Sequence, residues 1–281
     1  MSERELSSKV EGILRGSFDL HVHARPDPEG RLRMDALDTG RHAQEAEMAG
    51  FVLKSHYYPT APVAEMLNRV YPGLRVAGSV TLNREVGGLN PDAVQAAADL
   101  GARIVWMPTL SADFWLAREG RGPGLRLLDE AGGLLPPVLE ILETVRRHDM
   151  ALATGHVSPQ ESLTLLDAAK DLGVRRLIVT HPVGLASTEE LRAMVALGAR
   201  VELTFLSCMP SRNQNTPADL VSVVRTLGTD NCVVTTDFGQ WMNPPPAEGM
   251  RMAIAELLNA GLGPDEVEAL VKTNPLELVG L

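Results

Sequence analysis

The chain has 281 residues, 44% of them hydrophobic, which is enough to bury a large core in one domain. Its formal net charge of −10 argues against a nucleic-acid-binding surface, and no apolar run is long enough to cross a bilayer. The two cysteines, Cys208 and Cys232, form no disulfide framework, and the polar N-terminal segment lacks the apolar stretch of a signal peptide. These features predict a cytoplasmic protein that binds neither nucleic acid nor membrane.

Short apolar segments alternate with longer amphipathic segments along the chain, after a predicted short helix at residues 3–15. The apolar segments are rich in β-branched and other apolar residues, as expected of parallel strands that are buried on both faces. Eight such strands are predicted, at residues 17–22, 50–55, 74–81, 102–107, 150–154, 175–180, 199–205 and 231–236.

The segments between the strands carry signals for the start and end of helices. Asn90 is a predicted N-cap, and Ser158 with Glu161 predicts a capping box. A further helical pattern covers residues 34–50 and is expected to end at Gly50. Each predicted strand is therefore followed by a helix or by a long loop.

This alternation predicts an α/β fold, a (β/α)8 TIM barrel formed by a single domain over residues 1–281, with a helical tail at 263–281. A doubly wound open sheet is the alternative, but no Gly-x-Gly-x-x-Gly turn follows the first strand. In TIM barrels the loops after the strands form the active site, so functional residues are expected at the carboxyl ends of the strands. The longest such loops follow the first, fourth, seventh and eighth strands, at residues 24–34, 108–134, 206–216 and 238–249.

Five of the seven histidines occur at or just after the end of a predicted strand. A single histidine there is more often a hydrogen-bonded rim residue than a ligand, but five at equivalent ends of one barrel favour a shared site. Asp237 follows the last strand, and histidines together with a carboxylate are typical ligands of zinc or a similar divalent ion. The five histidines are His21, His23, His56, His156 and His181.

The spacing within the first two strands supports this site. His21 and His23 are two residues apart, so their side chains are expected on the same side of the strand. Lys54 and His56 have the same spacing at the end of the second strand. Because the chain has only four lysines among its 26 basic residues, a lysine in an apolar strand needs a specific explanation.

The order of these residues resembles that of the amidohydrolase superfamily of metal-dependent hydrolases. The order is His-x-His after the first strand, one histidine after each of the fifth and sixth strands, and an aspartate after the eighth. The resemblance spans nearly the whole chain, includes the tail KTNPLELVGL, and is closest to the compact, barrel-only members. It implies metal-dependent hydrolysis of an amide, a lactone or ester, or a phosphoester bond in a small molecule.

The resemblance also implies roles for the individual residues. His21, His23 and Asp237 would hold one divalent ion, and His156 and His181 would hold a second. Zinc is the expected metal, with Mn2+, Fe2+ or Co2+ as alternatives, and it would lower the pKa of a bound water toward about 7. Asp237 would accept the proton of that water and pass it to the leaving group.

The sequence departs from the superfamily at the residue that bridges the two metals. Members with two ions usually supply a carboxylated lysine or a glutamate from the fourth strand, but this strand ends RIVWMPT. Lys54, on the second strand, is the expected substitute, as a carboxylated lysine. The alternative is a protonated Lys54 that binds a substrate anion or pairs with Asp19 or Glu202. The site would then hold one ion, with His56 as a ligand or an acid.

Candidate substrate contacts lie near the same strand ends. Arg25 extends the first motif to His-x-His-x-Arg, and the resemblance implies that an arginine there binds a substrate carboxylate. A salt bridge to a nearby carboxylate is the alternative. Aromatic residues concentrate at the strand ends of a chain that is only 4% aromatic, so the substrate is expected to be anionic or ring-bearing. The predicted substrate-binding residues are Arg25, Tyr57, Trp106, Arg212 and Trp241.

Three other functions stay open at the level of sequence. A decarboxylase of the same superfamily would use the same ligands and release carbon dioxide. A phosphoesterase of the polymerase-and-histidinol-phosphatase type also begins with His-x-His, but its barrel usually has seven strands. A barrel that binds a metal or ligand without turnover is the non-enzymatic alternative. A homo-oligomer is expected only because oligomers are common.

Overall fold

A computed structural model describes residues 3–28 and 31–281, so part of the predicted loop 24–34 lies outside the described residues. Nine strands are present in these ranges. Their bounds are β1 Phe18–Val22, β2 Gly50–Leu53, β3 Arg75–Ala77, β4 Ser79–Thr81, β5 Ile104–Trp106, β6 Ala151–Ala153, β7 Arg176–Val179, β8 Ala199–Thr204 and β9 Cys232–Thr235.

Helices precede, separate and follow these strands. Short 3-10 turns and one π-helical turn (Ala269–Thr273) supplement them. The α-helices are α1 Glu3–Leu14, α2 Ala36–Glu45, α3 Ala61–Val70, α4 Pro91–Asp99, α5 Asp113–Arg118, α6 Pro136–Arg147, α7 Pro159–Asp171, α8 Thr188–Ala196, α9 Pro217–Leu227, α10 Pro246–Asn259, α11 Pro264–Glu268 and α12 Asn274–Val279.

All strand pairs are parallel and follow the chain order, β1-β2-β3 in one sheet and β4 through β9 in another. The two sheets meet at Gly78, which divides the third predicted strand into β3 and β4. A Cβ atom at Gly78 would lie 2.2 Å from the Cα atom of Ala61, so glycine allows α3 to pack this close to the strand. With β3 and β4 counted as one strand, eight parallel strands are present, which confirms the predicted barrel.

The barrel closes between β9 and β1 through the backbone bridge Val22–Phe238 and the buried carboxylate of Asp19. This carboxylate accepts hydrogen bonds from the backbone N–H groups of His21 and Thr236, each at 3.1 Å, and from the Thr236 hydroxyl at 2.5 Å. Burial raises the pKa of Asp19 to about 7. Asp19 therefore joins the first and last strands directly below the metal ligands.

Two apolar layers hold the barrel together. The larger one lies between the strands and the surrounding helices, and the smaller one fills the interior around Phe18, Ile104 and Trp106. Leu278 and Val279 of the predicted helical tail belong to the interior cluster. The tail therefore closes the amino-terminal end of the barrel, which leaves the carboxyl end for the site.

Most predicted helix signals are confirmed. The side chain of Asn90 caps α4, and Ser158 and Glu161 form a capping box at α7. The prediction that the helix before β2 ends at Gly50 is wrong, because α2 ends at Glu45 and Gly50 is the first residue of β2. No helix among the described residues is long and apolar enough to span a membrane.

Candidate metal centre

Side chains from three neighbouring strand ends converge at the carboxyl end of the barrel. The Nε2 atom of His21 lies 3.2 Å from Nε2 of His23, 3.1 Å from Oδ1 of Asp237 and 3.0 Å from Nζ of Lys54. Potential ligand atoms of His21, His23 and Asp237 all lie within 4.8 Å of one another. These three residues are called the first ligand group below, and their spacing suits a single metal ion.

An irregularity in β1 aims His21 at this group. The register between β1 and β2 shifts between Asp19 and Val22. Phe18 before the shift and Leu20 within it pack in the interior cluster, and His21 and His23 both face the site. Such a bulge re-aims side chains near active sites.

His156 and His181, the second ligand group, approach from the loops after β6 and β7. Their Nε2 atoms are 3.0 Å apart, and the ring centroids of His181 and His21 are 6.1 Å apart. Gly155, which precedes His156, has a φ of +68°, and a Cβ atom there would lie 2.3 Å from the carbonyl oxygen of Met107. Only glycine fits at this position without displacing the backbone that carries His156.

Two predicted ligands have strained backbones. The φ angle is +25° at His181 and +56° at Asp237, in a region that non-glycine residues rarely adopt. Strain of this kind costs roughly 1–3 kcal/mol per residue and persists where the surrounding structure enforces it, often at functional sites.

Lys54 is fully enclosed between the two ligand groups and the barrel interior. Its side chain is 1% exposed, and Nζ lies 4.5 Å from the centre of the Trp106 ring. The Trp106 ring also lies 4.8 Å from the His21 ring, centroid to centroid. Lys54 therefore reaches the predicted site, and Trp106 forms its apolar floor.

Glu202, which the sequence analysis named only as a possible partner of Lys54, contacts His21. Its Oε1 atom lies 2.8 Å from Nδ1 of His21 and accepts a hydrogen bond of 3.0 Å from the Thr235 hydroxyl. Glu202 is fully buried at the middle of β8. A single glutamate in the apolar run ARVELT is the signal that could have identified it.

Burial and neighbouring charges shift the pKa values of several residues of the site. Burial lowers the pKa of His21 to about 4 and lowers the pKa values of His56 and His156 well below the usual range, so these imidazoles are neutral at pH 7. Burial opposes ionisation of Asp237, but His21 and His23 lower its pKa well below its ordinary range. Asp237 is therefore a carboxylate at neutral pH.

The chemistry of these donors fits divalent metal ions. Glu202 fixes the proton of His21 on Nδ1, which leaves a lone pair on Nε2 that points at the first ligand group. In the second group, two Nε2 atoms converge at 3.0 Å. A metal cation can accept one lone pair from each of several such nitrogens. A hydrogen bond between two imidazoles uses the lone pair of only one nitrogen.

The ligand groups lie at the base of a cavity of about 370 Å3, which is called the metal-site cavity below. His23, Lys54, His156 and Asp237 line its base, together with His56 and His181. His56 stacks on His23 with ring centroids 4.9 Å apart and lies 2.8 Å from the Thr109 hydroxyl through Nδ1. It lies beside the first ligand group and is not one of its three residues.

The predicted substrate contacts are only partly brought together. Arg212 lines the cavity, whereas Trp106 is fully buried beneath Lys54 and is not among the described residues that line it. Tyr57 lines a neighbouring cavity of about 470 Å3 that shares His56. Arg25 and Trp241 are exposed and are not among the described residues that line this cavity, so their predicted substrate contacts stay predictions.

Trp115 and Arg118 line the cavity instead, and the predicted set of substrate contacts does not include them. Both lie on α5, within the predicted long loop 108–134. The Trp115 ring is 4.7 Å from the His156 ring, centroid to centroid. Their three-residue spacing on one short helix places both on the cavity side.

Comparisons with solved structures identify the fold. The chain is similar to an amidohydrolase from Pseudomonas aeruginosa (14% identity, all of both chains, TM-score 0.68). It is also similar to the probable dipeptidase PvdM from Pseudomonas aeruginosa (14% identity, 99% of this chain and 98% of that chain, TM-score 0.71). The organophosphorus hydrolase from Deinococcus radiodurans matches at 14% identity over 94% of this chain and 92% of that chain, with a TM-score of 0.59. At this identity the likeness shows the fold, which is that of the amidohydrolase superfamily.

Sequence comparisons give the narrower family. No curated protein matches the chain in sequence. A family model described as a family of unknown function, DUF6282, matches residues 16–202, a range that contains every predicted ligand except Asp237. The chain therefore belongs to the DUF6282 family of unknown function, and it has the barrel fold of the amidohydrolase superfamily.

Proposed function

We propose that this protein is a metal-dependent hydrolase that cleaves an amide, a lactone or ester, or a phosphoester bond of a small molecule. The observation that carries the proposal is the convergence on His21 Nε2 of His23, Lys54 and Asp237, at 3.0–3.2 Å. The first ligand group would hold one ion and His156 with His181 a second, zinc being the first expectation. Bound metal would supply an activated water and polarise the bond to be cleaved.

The residues around the metals would move the proton and orient the substrate. Asp237 is a carboxylate at neutral pH and borders the cavity, so it can accept a proton from water and deliver it to a leaving group. His56 is neutral and faces the same cavity, where it can hydrogen-bond substrate through Nε2. Both residues reach the reacting bond from the wall of the cavity.

Lys54 is proposed to bridge the two ions as a carboxylated lysine. The neutral amine would add carbon dioxide and release one proton, which gives a carbamate that carries one negative charge. A buried ammonium beside two metal ions would suffer desolvation and like-charge repulsion, whereas the carbamate supplies two anionic oxygens. The position of Nζ next to His21 Nε2 supports this role.

The test of the proposed function pairs metal-loaded wild type with the Asp237→Asn variant. We expect turnover of at least one compound in a screen of amides, lactones, esters and phosphoesters, with oxygen from labelled water in the product. Asp237→Asn should reduce turnover at least a hundredfold while the protein remains folded. Hydrolysis that continues unchanged in this variant would contradict the role of Asp237.

Carboxylation of Lys54 has a separate test. Carbon-13 NMR of protein supplied with labelled bicarbonate should show a carbamate signal that is absent from the Lys54→Met variant. Lys170→Met, which changes an exposed lysine, is the matched control and should retain the signal. Equal spectra of wild type and Lys54→Met would exclude the bridge.

Decarboxylation is the second candidate, because the chain is also similar to a 2,6-dihydroxybenzoate decarboxylase structure (14% identity, 95% of this chain, all of that chain, TM-score 0.61). The same ligand groups would serve it. Release of carbon dioxide, with no oxygen from labelled water in the product, would show that the reaction is decarboxylation and not hydrolysis.

A further inference from the structure

Two arginines line the metal-site cavity. Arg118 comes from α5 in the loop after β5, and Arg212 comes from the loop after β8. Neither forms an ion pair with another described residue. Arg118 contacts the Phe114 ring, with Cζ 5.7 Å from the ring centre. Two guanidinium groups therefore border one cavity from different loops.

The charge of the whole protein makes this pair notable. The chain has a formal net charge of −10, so its long-range field opposes the approach of an anion. Glu119 is the acidic residue that borders the cavity next to Arg118, while Asp237 faces the histidines at the base. The arginines thus place local positive charge at the cavity.

Part of the cavity wall is apolar. Trp115 packs on His156 with ring centroids 4.7 Å apart, and Leu110 and Leu206 also line the cavity. Trp115 and Arg118 are one helical turn apart, so the apolar wall leads directly from the metal centre to the first arginine. A volume of about 370 Å3 is that of a small-molecule site.

We propose that the substrate is a small-molecule anion whose carboxylate or phosphoryl group is held by Arg118 and Arg212. This group is remote from the bond that is cleaved, and an apolar or ring-shaped body lies against Trp115. Guanidinium groups match the geometry of both oxyanions. This inference rests on the proposed function, because it takes the ligand groups as the reacting end. It transfers the predicted role of Arg25 to two arginines that the fold brings to the cavity.

The test uses matched pairs of ligands that differ by one anionic group. Calorimetry measures the binding of isophthalate and of benzoate to metal-loaded protein. Terephthalate, also compared with benzoate, and glutarate, compared with pentanoate, vary the distance between the two anionic groups. We expect at least one dianion to bind ten times more tightly than its monoanion. The ratio of dianion affinity to monoanion affinity should fall to about one in the double variant Arg118→Met, Arg212→Met. Benzoate affinity should change less than twofold.

Arg121→Met is the matched control, because Arg121 lies in the same loop but lines the neighbouring cavity. It should keep the wild-type ratio. Trp115→Leu should weaken the ring-bearing pair and leave the glutarate-to-pentanoate ratio unchanged. The compound 3-phosphonobenzoate, compared with isophthalate, shows which oxyanion is preferred.

Two results would overturn the inference: no dianion exceeds its monoanion in wild type, or the ratio survives in the double variant. Failure of the proposed function is recognised separately, by measuring the metal content of every sample. Protein that binds no metal contradicts the hydrolase, and in such a sample the arginines are tested instead by whether the double variant weakens isophthalate binding.

Discussion

The contact between Glu202 and His21 provides a sharp test of how the protein prepares its metal ligands. Both side chains are 1% exposed or less, and Oε1 lies 2.8 Å from Nδ1. Glu202→Gln keeps the size and one oxygen acceptor but removes the charge that makes the imidazole a stronger ligand. The second oxygen, Oε2, has no hydrogen-bond partner among the described residues, so an amide N–H placed there would be unsatisfied.

Partners of this kind change metal affinity by about 10–100-fold, which is about 1.4–2.8 kcal/mol at 25 °C. We therefore expect Glu202→Gln to weaken zinc binding at the first ligand group by at least tenfold. The assay is competition of the apo protein against a chelator of known affinity, with circular dichroism to confirm folding.

The control is Glu161→Gln, which changes another buried carboxylate, one that hydrogen-bonds Leu127 and Ser158 and not the first ligand group. Glu161 belongs to the capping box of α7, where glutamine can replace glutamate. This variant should bind zinc like wild type. Zinc affinity within a factor of two of wild type in folded Glu202→Gln would refute the reasoning.

Three further predictions follow from the same structure. Replacing Asp237 with alanine should lower zinc stoichiometry as well as turnover, measured by metal analysis, and full occupancy would remove it from the ligands. Gly155→Ala should lower the melting temperature more than Gly16→Ala. A Cβ atom at residue 155 would lie 2.3 Å from the Met107 carbonyl oxygen, whereas one at residue 16 would meet nothing within 4 Å. Equal shifts in melting temperature would contradict this. Burial raises the pKa of Cys232 to about 12 and also raises that of half-buried Cys208, so thiol reagents at pH 8 should modify Cys208 faster and Cys232 only after denaturation. Rapid modification of both thiols in folded protein would disprove this assignment.

The barrel and its ligand groups could be predicted because their signals are local. Parallel strands buried on both faces read as apolar runs, and capping residues mark the helices between them. Once the barrel was predicted, the histidines after four strands had to meet at one end. The distances among His21, His23 and Asp237 agree with that expectation.

The walls of the site could not be predicted in the same way. Trp106 is a strand-end residue by sequence, but its side chain points into the barrel and packs under Lys54. Arg25 follows the His-x-His motif, yet the chain turns away after His23 and leaves it exposed. Which way a loop side chain points depends on tertiary packing, so the place of Arg118 at the cavity emerged only from the position of α5.

Glu202 and the bulge in β1 show a different limit. Strict alternation along β1 would place Leu20 and His21 on opposite faces, but the register shift brings both toward the barrel interior. The contact of His21 with Glu202 depends on this shift and joins residues 181 positions apart. No local pattern encodes such a pair.

The central claim is that two groups of ligands hold two divalent ions. Its most direct test is the metal-to-protein ratio of wild type purified without chelators and analysed by mass spectrometry. The account predicts two ions per chain, and a lower ratio after mutation of either His21 or His181. One ion per chain or fewer in wild type, even after incubation with zinc, would contradict it.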